Sequence, residues 1–300
     1  MSGEPRPLPV WDRRAGRQFE EFMEDHPATY DSRPHRSMTQ WLESSRLYDW
    51  LVAAYQNSAW SKRAISPFIK KHQIDMSEFK PVIYRSFADF FDREFRPGQR
   101  EFPTTSGEMG AFSEARYFAW SAWSEKQEFP VKGQSLTPSR LLGSEERAAP
   151  FAGGPLLLAR LAPVDYHHNH YFDDGSTVET ALEGGRLWTV NWHALRHQPD
   201  ILFRNHRQIS ILDTRNFGKV AFVEVGAMSV GRIQQVHPLD APFARGEEKS
   251  VFKFGGSAVV LLGERGAWTP ADDLLERTAQ GIETLVRLGD VIARAGHRGD

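Results

Sequence analysis

The sequence predicts an α+β protein, with an N-terminal helical region on a β-rich, mostly antiparallel core and a C-terminal helix. Three observations predict it. Apolar residues recur at helical spacing within the first hundred residues. From about residue 108 the chain turns to short β-branched and aromatic runs punctuated by Gly, Pro and Asp. The last segment then returns to helical spacing behind a proline and two acids. The division implied is a helical region over 1–107 and a core over 108–300.

In "MTQWLESSRLYDWLVAAYQNS" (38–58) Trp41, Leu42, Tyr48, Leu51, Val52 and Tyr55 form an amphipathic stripe. It either packs on the main body or faces a membrane interface, where Trp and Tyr suit the headgroup region. A second helical stretch, "SFADFFDREF" (86–95), ends at the turn signal Arg96-Pro97-Gly98. The runs "GPLLLARLAPVDY", "GRLWTVNW", "QISILDTRNFGKVAFVEVGAMSVGRIQQV" and "SVFKFGGSAVVLLGE" read as strands, with turns or bulges at Phe217-Gly218 and Val225-Gly226. "PADDLLERTAQGIETLVRLGDVIARA" reads as the closing helix. No internal repeat or low-complexity linker interrupts this order.

Three hundred residues with 40% hydrophobic content can bury a sizeable core. A formal charge of −2 argues against a nucleic-acid partner, because phosphate binding draws on dense Lys/Arg patches. Only Lys62 to Arg100 leans basic, with nine Lys/Arg against five Asp/Glu, which is a solvated face or a local anionic contact. The absence of cysteine removes disulfides, thiolate nucleophiles and Cys-ligated zinc. The N-terminal "MSGEPRPLPVWDRRAG" has no apolar h-region and no run has the ~18 apolar residues that span a bilayer. The expected location is the cytoplasm, or the periphery of the inner membrane.

Two stretches carry chemistry. "LAPVDYHHNHYFDDG" (161–175) places three histidines in four positions. On an extended backbone His168 and His170 face one way and His167 the other, which argues against a metal site. "KSVFKFGGSAVVLLGE" (249–264) interrupts an apolar run with Gly255, Gly256 and Ser257, which marks a bulge or a close approach to the backbone. A serine hydroxyl becomes nucleophilic when an imidazole takes its proton and a carboxylate fixes the imidazole tautomer. Glu114, Asp165, Asp173 and Asp174 are the candidate carboxylates, and spacing does not choose between them. His193 and His197 of "HALRH" read as structural.

Five segments in order, "FFDREFRPGQR" (90–100), "LAPVDYHHNH" (161–170), "VEVGAMSVGRI" (223–233), "FKFGGSAVVLL" (252–262) and "GIETLVRLGD" (281–290), resemble the signatures of the phosphatidylserine decarboxylases. The resemblance covers roughly 85–292 and implies a self-processing carboxy-lyase. By this resemblance the chain cuts itself between Gly256 and Ser257, with Gly255 in support, and Ser257 becomes an N-terminal pyruvoyl group. His170 would be the base for the cut and His167 would serve decarboxylation or reprotonation. Glu114 aligns with the family's triad aspartate in "GAFSEARYFAW", one methylene longer than the family residue, and Ala258 replaces the usual threonine. Asp165 remains a supporting carboxylate.

The substrate class implied is a phospholipid, phosphatidylserine, converted to phosphatidylethanolamine and CO2. The alternatives are a free amino acid, since the chemistry requires only an amine α to a carboxylate, or a non-processing lipid-binding relative. A Ser257–His170–Glu114 hydrolase is a weaker alternative. Peripheral membrane contact through the N-terminal helices and a homodimer are the partner expectations.

Overall fold

A computed structural model describes residues 8–21, 46–123, 137–185, 201–226, 232–253 and 257–296. Its centre is a nine-stranded sheet. In spatial order the strands are β2 (Arg17–Glu21), β1 (Leu8–Asp12), β14 (Glu283–Val286), β4 (Ala115–Trp120), β5 (Leu156–Leu161), β12 (Ser257–Gly263), β9 (Gly218–Val225), β8 (Arg207–Thr214) and β7 (Gly175–Glu183). Every pairing is antiparallel except β1 with β14. Two three-stranded sheets accompany it: β10 (Arg232–Gln235), β11 (Glu248–Lys253) and β6 (His168–His170); and β13 (Trp268–Pro270), β15 (Val291–Ala295) and β3 (Glu108–Gly110).

Both faces of the large sheet are covered, so its middle strands are apolar at successive positions rather than at alternate ones. Phe118, Leu158, Val223 and Val260 pack with residues of three short helices, α4 (Pro138–Leu142), α5 (Glu145–Ala148) and α6 (Ile201–Arg204). Tyr117, Leu157, Phe222 and Leu261 pack on the other side with Met109, Phe252, Trp268 and Leu274. Each such Val or Leu side chain contributes about 1.5–3 kcal/mol relative to exposure. The β8–β9 connection is the turn expected at Phe217-Gly218, where Gly218 takes φ +68°, a conformation that disfavours a Cβ.

The N-terminal region contains helices within both expected stretches, α1 (Arg46–Asn57) and α3 (Phe87–Phe91), and between them a helix outside those stretches, α2 (Ile65–His72). Ser86 caps α3 by accepting from Asp89 N at 3.1 Å. The helix stops four residues before the expected end because Phe95 must be extended to bridge Phe79. Residues 8–21 form a hairpin inside the region read as helical, its turn made by Gly16 at φ +61° and by Asp12 Oδ1 accepting from Ala15 N at 2.9 Å. Of the stripe, Leu51 and Tyr55 on α1 are exposed, as is their neighbour Trp50, while Val52 is half-buried and Trp41 and Leu42 lie outside the described residues.

The C-terminal helix is present but short, as α7 (Asp272–Ala279). Gly281 at φ +72° ends it, and Thr284, Leu285 and Val286 then pair with β1 and β4 as β14. The β-branched residues and the two glycines at 281 and 289 were the signals against continuous helix.

A polar network centred on the fully buried Lys249 and Glu224 ties β9 to the small sheet carrying β6. Lys249 Nζ donates to Glu224 Oε2 at 2.7 Å and to Gln235 Oε1 at 2.8 Å. Ser250 donates to Glu224 Oε1, and Asn169 Nδ2 donates to Ser250 Oγ at 2.9 Å. Lys249 stands at a register shift between Glu248 and Ser250 that turns consecutive side chains inward. Lys249→Met should therefore leave Glu224 as an uncompensated buried charge and cost about 3–5 kcal/mol. Urea unfolding of the two proteins at neutral pH measures this, and a loss below about 1 kcal/mol would contradict the pairing.

Candidate functional site

The site is assembled by two stretches pinned to one another at both ends. Ser257, the first residue of β12, pairs with Leu161, the last of β5. Two residues before the break in description, Phe252 N donates to His167 O at 2.9 Å. The described residues on either side of 254–256 are therefore held at the two ends of the 161–167 stretch. Gly255 and Gly256, like His193 and His197, lie outside the described residues. Ser257 is completely buried, and its Oγ has no hydrogen-bond partner among the described residues. Leaving a hydroxyl in that condition costs roughly 1–3 kcal/mol.

The turn 162–166 that leads into β6 is held by charged side chains. Asp165 Oδ2 accepts from Ala162 N at 2.6 Å and from Arg116 Nη1. Arg93, buried against the rings of Phe79 and Phe90, donates from Nη2 to Val164 O at 2.6 Å and Asp165 O at 3.1 Å. Burial raises the Asp165 carboxyl and Arg116 opposes it.

The three imidazoles turn their Nδ1 atoms to three different acceptors. His167 donates to Asp165 O at 3.0 Å, His168 to Glu248 Oε1 at 2.6 Å and His170 to Gly246 O at 2.9 Å. A carbonyl oxygen only accepts, so His167 and His170 carry their protons on Nδ1 when neutral and keep Nε2 as the basic nitrogen. The Tyr166 hydroxyl stands 3.4 Å from His170 Nε2, and its ring stacks on His168 at 4.4 Å. Burial lowers the His170 pKa from its ordinary value, against the Gly246 carbonyl and Glu248, which raise it.

Glu114 and His170 are not hydrogen-bonded to one another. Glu114 receives Arg100 in a two-pronged contact, Nε to Oε2 at 2.6 Å and Nη2 to Oε1 at 3.0 Å, and Leu288 N at 3.3 Å. Burial raises its pKa, opposed by Arg100. The other candidate carboxylates are also engaged elsewhere: Asp173 accepts from Asn216 and Arg245, and Asp174 pairs with Arg215 at 2.7 Å. The group that fixes the His170 tautomer is thus a backbone carbonyl, which has no side-chain signature in a sequence. Arg93 and Arg100 were in view within "FFDREFRPGQR", but nothing in that segment disclosed their partners.

A match to the phosphatidylserine decarboxylase family spans residues 87–294. The chain is 36% identical over 253 residues to a phosphatidylserine decarboxylase proenzyme of Ruminiclostridium cellulolyticum, covering 84% of each chain. It is 33% identical to one of Chlamydia pneumoniae, covering 95% of this chain and 89% of that one. A proenzyme of Clostridium acetobutylicum is 34% identical, over 86% of this chain and 87% of its own.

The hydrogen-bond pattern predicts that nitrogen-edited NMR will find His170 as the Nδ1-protonated tautomer at neutral pH, titrating below the ordinary histidine value near 6.5. The Nε2-protonated form would be incompatible with Gly246 as the partner, and a pKa above that value with the burial of the ring.

Proposed function

The chain belongs to the phosphatidylserine decarboxylase family, and from that premise we propose that it is a self-processing, pyruvoyl-dependent carboxy-lyase that converts phosphatidylserine to phosphatidylethanolamine and CO2. The observation that carries the self-processing step is the buried Ser257 hydroxyl, which no described residue holds, at the head of a strand whose neighbour β5 leads into the histidine turn.

In this reading Ser257 Oγ attacks the Gly256 carbonyl carbon, and the peptide nitrogen leaves as the ester forms. His170 Nε2 takes the hydroxyl proton, its opposite nitrogen being held by Gly246. Removal of the Cα proton of residue 257 then expels the Gly256 carboxylate, and water releases the nitrogen as ammonia. The products are 1–256 and 257–300, the second beginning with a pyruvoyl group. That ketone supplies an electrophile and an electron sink for the loss of CO2 from a carbon bearing an amine. His167, on the opposite side of the strand from His168 and His170, delivers or accepts the proton at the substrate carbon. Glu114 acts as a positioning group through Arg100, whose guanidinium lies over the Phe95 ring that packs on Tyr166.

A lipid substrate is favoured over a free amino acid by the surface of the N-terminal helices. Trp50, Trp60 and Ile83 are 64%, 70% and 90% exposed, beside exposed Leu51, Tyr55, Lys62, Arg63 and Lys70. Aromatic side chains among cations suit the headgroup layer of an anionic bilayer. No helix among the described residues is long and apolar enough to cross a membrane, so the contact proposed is peripheral.

Intact mass spectrometry should find the two fragments from the parent chain and one uncut chain from Ser257→Ala. His170→Ala should stay uncut while His167→Ala is cut but decarboxylates at least tenfold more slowly. The cutting rate should be flat above about pH 6.5, where His170 is neutral, and fall below it as the ring is protonated. Glu114→Gln should slow the cut by far less than the ~10⁴ lost with an amide in a carboxylate-oriented triad. A parent chain that stays whole on long incubation would sink the proposal.

Replacing Trp50, Trp60 and Ile83 together by serine should weaken sedimentation with phosphatidylserine vesicles at least tenfold while leaving self-cleavage unchanged. Equal sedimentation would remove the membrane face from this surface.

A further inference from the structure

The segment 257–300, which the proposed cut would make a separate chain, supplies β12, β13, α7, β14 and β15. β12 is enclosed between β5 and β9. β14, only four residues long, lies towards one end of the sheet, and its outer neighbour is β1 of the N-terminal hairpin. That hairpin is not built like a core element: Val10 is its one fully buried side chain among those described.

The hairpin contacts are concentrated on three elements of that segment. β1 runs parallel to β14 with Val10 opposite Glu283, and Arg13 N continues the ladder to Leu285 O at 3.2 Å. The Arg13 guanidinium grips Asp273 on α7 through Nε at 2.8 Å and Nη2 at 2.9 Å. Its Nη1 donates to Val291 O, at the start of β15, at 2.7 Å. Arg277 of α7 lies 4.1 Å from the centre of the Trp11 ring. Glu21 on β2 also shares Arg160 with Glu283, at 2.5 and 2.6 Å, in a buried ion cluster.

We propose that the hairpin 8–21 is a clasp whose docking partner is the 257–300 fragment, and that it keeps this fragment seated once the peptide bond is gone. The inference rests on the proposed self-cleavage. In the uncut chain the covalent link through 254–256 already keeps the two parts together. After the cut, β14 without β1 would be a short edge strand, Asp273 and Arg277 would lose their partners, and Glu283 would share Arg160 with no second carboxylate.

The test follows release of 257–300 from purified, self-cleaved protein by gel filtration in moderate urea. Three proteins are compared: the parent, a chain lacking 1–21, and the double variant Trp11→Ala/Arg13→Ala. The shortened chain should release the fragment at least tenfold faster than the parent, with the double variant between them. Equal release rates in all three would overturn the clasp. Where the shortened chain does not fold, the double variant decides alone, and a parental rate there overturns the proposal.

A parallel set makes the cut independent of self-processing. A recognition sequence for a site-specific protease is inserted between positions 256 and 257 of the Ser257→Ala chain. Failure of the parent to cut itself then counts against the proposed function, while the protease-cut set still decides the clasp.

Discussion

The pairing of β12 between β5 and β9 is the constraint on which the site depends. Ser257 stands opposite Leu161 and Ala258 opposite Val225, so the start of β12 is fixed on both sides. A slip of one residue would exchange Val259 and Leu261 with Ala258, Val260 and Leu262 between two filled cores, which neither face tolerates. The apolar identity of the strand thus sets the position of its one hydroxyl. The same register sets Ser257 beside the start of the turn that leads to the histidines, because β5 ends where β12 begins.

Electrostatics then couples distant parts of the chain to that turn. Arg116 and Arg160 face each other across β4 and β5, an unfavourable pair unless carboxylates surround it. Glu21 bridges them at 2.6 and 2.5 Å, Glu283 takes Arg160, and Asp165 takes Arg116. Burial alone would raise the Glu21 carboxyl, but the two arginines outweigh it and hold it at about 2. Glu21 therefore stays ionised over the physiological range. Through Asp165 the cluster anchors the turn, and through Glu21 and Glu283 it joins the N-terminal hairpin to the C-terminal strand.

The sequence discloses the layers of this fold better than their edges. Continuous short apolar runs bounded by turn residues announce the central strands because both sheet faces are buried, as in "SAVVLLG". β1 and β2 escape notice because one buried valine in a hairpin leaves little periodicity to read. The final segment looks helical because Leu and Arg suit helices as well as edge positions, and Gly281 decides the matter locally. In the site, residue types point to serine and histidines, whereas partner choice depends on geometry. Glu114 has the right charge and the right place in the sequence to orient a histidine, yet Arg100 claims both of its oxygens.

That substitution of partners has a chemical consequence. A carboxylate beside an imidazole stabilises the protonated ring and raises its pKa, giving a stronger base that is more often already charged. A carbonyl fixes the tautomer but adds only a dipole, and burial then lowers the pKa of His170. The resulting base is weaker but remains neutral at physiological pH, ready to accept a proton without first losing one. Repeated turnover would favour the stronger base. A cut made once in the life of each molecule does not, since its rate need only be fast compared with the protein's lifetime. Gly246 as the partner of His170 is therefore compatible with self-processing in a chain whose Glu114 is occupied by Arg100.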